Sequence, residues 1–64
     1  MSNLEEQIKQ KSILLRKEMY MYAYESQKSG KMSSSQAKEF IRSYLEEEII
    51  PWEERAYKLL SMIK

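Results

Sequence analysis

Two groups of residues in this 64-residue chain have types and spacing that bear on chemistry: Glu46-Glu47-Glu48, and the interleaved Lys17, Tyr20, Tyr24 and Lys28. Three carboxylates offer hard oxygen ligands to a divalent cation. Neighbours on a helix point about 100° apart, however, so the three do not converge on one ion. A solvated acidic face is the better reading. Lysines alternating with tyrosines on one helix face can pair with phosphates and stack on bases. There is no histidine and no cysteine. That removes the commonest general base, the commonest metal ligand, thiolate metal sites and disulfides. The remaining Glu, Lys, Ser and Tyr residues show no pair whose spacing implies an active site, and two helices do not readily enclose a pocket. The expectation is a non-enzyme with no catalytic residues, no cofactor and no metal.

Charge bears on the nucleic-acid option. The net charge is +1, with 33% of residues charged. A dedicated non-specific nucleic-acid binder would carry a clear basic excess. No short helix-turn-recognition helix is apparent either. Nucleic-acid binding, by a dimeric regulator, is therefore the alternative reading rather than the first.

The elements that would position these residues are legible from periodicity. Leu4, Ile8, Lys11, Leu15, Met19 and Tyr22 step by three or four, which predicts a helix over about 3–28 with Ser2 or Asn3 as its cap. Met19–Tyr24 alternates as a strand would, but nothing in the chain offers a second strand to pair with it. Residues 29–34 form the turn: Gly30 suits a left-handed helix end, and one of Ser33, Ser34 or Ser35 suits the next N-cap. A second helix is expected over about 35–64, with a stripe of Ile41, Leu45, Ile49, Trp52, Ala56, Leu59 and Ile63. Pro51 falls inside it. Proline removes a hydrogen bond and disfavours helical geometry at the residue before it, so a kink or a break is expected there. The fold class is thus all-α: one domain over 1–64, an antiparallel helical hairpin of two or three helices. So small a chain buries little surface, which favours an oligomer, such as a homodimer, or a partner. In that hairpin Glu46–Glu54 would lie beside Lys9, Lys11 and Arg16.

The hairpin leaves apolar residues outside. With Met19 and Tyr22 inside, Ile13, Tyr20 and Tyr24 point nearly the opposite way, sharing their face with Lys17 and Lys28. Leu14 and Met21 occupy a flank. Contiguous apolar patches of this kind mark interfaces, and tyrosine and methionine suit them. On the second helix Trp52 belongs to the inner stripe, whereas Ile50 and Tyr57 point away from it. Partner-binding candidates are therefore Ile13, Leu14, Lys17, Tyr20, Met21, Tyr24, Lys28, Ile50 and Tyr57.

Ser35-Gln36-Ala37-Lys38-Glu39 resembles the Ser-Gln-Glu-Leu-Asp signature of small hairpin phosphatases acting on sporulation response regulators. The likeness rests on Ser35, Gln36 and Glu39, while Ala37 and Lys38 depart from the pattern. It implies, as the weaker alternative, a regulator that engages a response regulator. The leading expectation is a small regulatory protein, for instance an inhibitor, that binds a larger protein through its Tyr/Met face. Richness in Lys, Ile, Tyr and Met suits an AT-rich bacterial or phage genome. With no apolar run of about 18 residues and an acidic start, no membrane association is expected and the cytoplasm is the expected location.

Overall fold

In the computed structural model, which describes residues 3–63, the chain forms α1 (Asn3–Lys28), α2 (Ser34–Tyr44), a π-helical turn (Leu45–Ile49) and α3 (Ile50–Ile63). It is all-helical, with no strand among the described residues. The Met-Tyr run lies within α1. Ser2, one candidate cap, and Lys64, the expected last helical residue, lie outside the described residues. Asn3, the other candidate, is already part of α1.

The turn is built by local chemistry. Gly30 takes φ 87°, a left-handed conformation that costs a Cβ-free residue little. Its N–H bonds the Gln27 carbonyl at 3.2 Å, and the Met32 N–H bonds the Ser26 carbonyl at 3.1 Å. Carbonyls orphaned at the end of α1 are thereby satisfied. Ser33 is the N-cap of α2 and closes a reciprocal box with Gln36. The Gln36 N–H donates to Ser33 Oγ at 3.1 Å, and the Ser33 N–H donates to Gln36 Oε1 at 2.9 Å. The second helix therefore starts at Ser34, one residue before the expected Ser35. Ser33-x-x-Gln36 is the signature of that box.

Pro51 does not break the second arm. Ile50 has φ −62° and ψ −46°, fully helical, and its N–H reaches five residues back to the Leu45 carbonyl. A proline ring ordinarily collides with the carbonyl four residues before it. Widening the preceding turn to π geometry relieves that conflict and lets the helix continue. The π turn adds a residue to one revolution, so everything after it is rotated by about 100°. Trp52 and Ala56 of the expected stripe remain partly buried, and beyond them it fails. Leu59 and Ile63 are 60% and 70% exposed, while Leu60 and Glu53 turn partly inward.

The inner face of α1 also differs from expectation. Ile8, Ser12, Met19, Ala23 and Ser26 are buried, whereas Leu4, Lys11 and Tyr22 are exposed. The small Ser12, Ala23 and Ser26 of α1 and Ala37 of α2 leave room at the centre of the contact for Met19, and the aromatic rings sit at its edges. Tyr22 is therefore displaced to a flank, with its ring centroid 5.2 Å from that of Phe40. Across the turn Tyr22 meets Phe40, and Arg16 meets Glu53 farther from it. The molecule measures 46 × 18 × 10 Å. Ile49 is the one large side chain buried to 1% exposure among the described residues.

Candidate functional site

The polar centre of the surface is Glu53, whose position follows from the rotation at the π turn. Its carboxylate accepts hydrogen bonds from the Arg16 guanidinium and the Ser12 hydroxyl. Arg16 Nη1 also donates to Ser12 Oγ at 2.6 Å, four residues away on the same helix. Hydrogen bonds from Arg16 and then Ser12 hold the Glu53 carboxyl below its ordinary value of 4.5. Partial burial opposes them, and the Arg16 charge adds to them. The bond to Glu53 in turn raises Arg16. The expected meeting of Arg16 with the acidic segment therefore occurs through Glu53. Glu46, Glu47 and Glu48 remain exposed, and no group of three potential metal ligands converges among the described residues.

This ion pair sets two rows of side chains next to each other. On α1, Ile13, Arg16, Tyr20 and Tyr24 are spaced three, four and four residues apart, so they share a side. On α3, Ile50, Glu53 and Tyr57 do the same. Pairing Arg16 with Glu53 aligns the rows into one strip that contains five of the candidates. Tyr20 lies near enough to Arg16 to influence its protonation. Exposure is 61% at Ile13, 52% at Tyr20, 40% at Ile50 and 39% at Tyr57. Leu14, Lys17, Met21 and Lys28 are also exposed. Lys17 and Lys28 keep three- and four-residue spacing to Tyr20 and Tyr24, and Lys28 lines one surface depression with Tyr24.

Tyr22, Phe40 and Tyr44 were absent from the candidates. They form an aromatic row on the opposite flank, with Phe40 and Tyr44 centroids 5.5 Å apart. The i, i+4 spacing of Phe40 and Tyr44, next to the Ala37 row, was the signal for it. Trp52 is half-buried on the same flank, and Lys11 Nζ stands 5.5 Å from its ring centroid. The segment resembling the phosphatase signature is otherwise occupied: the Gln36 amide closes the capping box and Ala37 is buried.

No described helix is long and apolar enough to cross a membrane. No protein-family model matches the chain, and neither a curated protein nor a solved structure is significantly similar to it.

Proposed function

We propose that this chain is a small, non-enzymatic regulatory protein, an antiparallel helical hairpin that acts in the cytoplasm by binding a larger protein. The observation that carries this reading is the strip of Ile13, Tyr20, Ile50 and Tyr57 around Arg16–Glu53. It joins large exposed apolar side chains from both arms to a central charged pair. Aromatic and aliphatic anchors beside an arginine are the composition of interface hot spots. Binding there would occlude or bridge the partner, because the strip has nothing with which to transform it.

The nucleic-acid reading retains one specific support: Lys17, Tyr20, Tyr24 and Lys28 are all exposed on α1. The two readings separate by substitution. Tyr20→Ala combined with Tyr24→Ala should abolish partner capture while helical circular dichroism is unchanged. Lys17→Gln with Lys28→Gln should leave capture intact. Salt-sensitive binding of DNA or RNA, lost in the lysine pair and retained in the tyrosine pair, would instead establish the nucleic-acid role. A tyrosine pair that still captures every partner of the wild-type chain would sink the protein-binding proposal.

A further inference from the structure

The flank opposite the strip carries a groove that the proposed partner surface does not use. Two cavities of about 350 and 240 Å³ lie along it and share Tyr44 as a common wall. Tyr22 and Phe40 flank the first cavity and Trp52 the second, over a floor that includes Met19 and Ile49. From Phe40 to Trp52 this aromatic wall runs about 18 Å, some three helical turns. Its rim carries charges of both signs. Glu18 borders the cavity nearer the turn, whereas Lys11, Glu48 and Arg55 border the one toward the open end.

We infer that a second copy of this chain closes the groove. The copies face each other in opposite directions about a two-fold axis, giving a four-helix bundle. Two observations carry the choice of occupant. The first is area. The chain exposes 5237 Å², whereas a compact folded monomer of its 7.7 kDa exposes about 4300 Å². That excess of about 900 Å² belongs to the whole elongated chain, and it leaves room for the roughly 800 Å² that each partner buries in an interface of standard size. The second is charge. Reversing one copy lays the turn end of one groove over the open end of the other, so Glu18 approaches Lys11 of the second copy, and the same contact recurs across the axis. A two-fold axis along the helices would instead lay α1 of each copy over the second arm of the other and lose this pairing. The contact of Glu18 with Lys11 is therefore made only when one copy is reversed. The strip around Arg16–Glu53 stays free on the outside of the bundle, so self-association and partner binding use different faces.

Glu18→Lys and Lys11→Glu test this directly, because both residues are exposed and neither belongs to the core. Each variant alone replaces two attractive contacts by two repulsive ones, and sedimentation equilibrium should show dimerisation weakened about tenfold. Mixing the two variants should restore dimers, because the two reversed charges then face each other with opposite sign and the second contact keeps its original pair. Trp52, the one tryptophan, reports on the groove in the unmodified chain: its emission should shift to the red as dilution separates the copies. A wild-type chain that is monomeric at all concentrations would overturn the inference. So would a dimer indifferent to both charge reversals, or one whose Trp52 emission does not change on dissociation. Loss of dimers in Tyr20→Ala/Tyr24→Ala would likewise overturn it, by placing self-association on the strip.

Discussion

The half of the molecule between the Gly30 turn and the π turn differs sharply from the half beyond it. In the first half Met19, Ala23, Ser26 and Ala37 are 3–4% exposed and Ile49 only 1%. In the second, α3 has no buried residue. Its facing segment of α1 contributes Ile8 and Ser12, which are just buried at 9% and 8%. Both halves are helical and both are rich in apolar residues. What separates them is size matching at the contact. Near the turn, small side chains leave room at the contact for Met19. Beyond the π turn, Leu59, Met62 and Ile63 are 60–72% exposed. Apolar content alone does not make a core: the side chains must also face the partner at a distance their size permits. Stability is therefore concentrated at the turn end, and the open end contributes surface.

That contrast can be broken most severely at Ile49. Ile49→Ala should cost about 2–5 kcal/mol in chemical denaturation, since it leaves a cavity at the best-packed point. Next in size, Ala37→Leu should cost about 1–3 kcal/mol by overfilling the centre of the contact. If it were neutral, the small residues would not be what holds the turn end together. Removing the cap with Ser33→Ala should cost about 1 kcal/mol by freeing the donors of the capping box. Glu53→Gln sharpens the contrast through pH. The folded-state value of Glu53 is depressed, so its contribution is fully present above the ordinary 4.5 and is lost as pH falls through the depressed value. Acid titration of stability should show wild type above Glu53→Gln at neutral pH, with the gap closing in that window. The smallest effect belongs to Leu59→Ser and Ile63→Ser. Each should change stability by less than about 0.5 kcal/mol, because these side chains are already in water.

Several features were readable locally. Helical periodicity overrode the strand-like alternation of Met19–Tyr24, because strands need a partner and helices do not. Gly30 marked the turn, whereas the N-cap stayed open among Ser33, Ser34 and Ser35 until the Ser33–Gln36 box fixed it. Ile13, Tyr20, Tyr24, Ile50 and Tyr57 were legible as outward-pointing residues, since each lies off the apolar stripe of its own helix. Their assembly into one strip was not, because it depends on Arg16 meeting Glu53 across 37 positions of sequence. Nor was the aromatic groove, whose walls come from α1, α2 and α3 together.

The sequence by itself determined where the helices run and where the turn between them falls. Each of these is settled within about four residues by backbone hydrogen bonding and glycine's freedom at positive φ. Only the tertiary structure decided which way the helices face. Proline's conflict with its preceding turn is resolved here by a π turn rather than a break, and that choice rotates α3 by one residue. The rotation sends Leu59 and Ile63 to solvent and turns Glu53 toward Arg16. Packing around Met19 then selects Ser12, Ala23 and Ser26 over Leu4 and Tyr22 for the inner face of α1. Helix phase and interhelical distance are properties of two packed surfaces, and no single stretch of chain contains both.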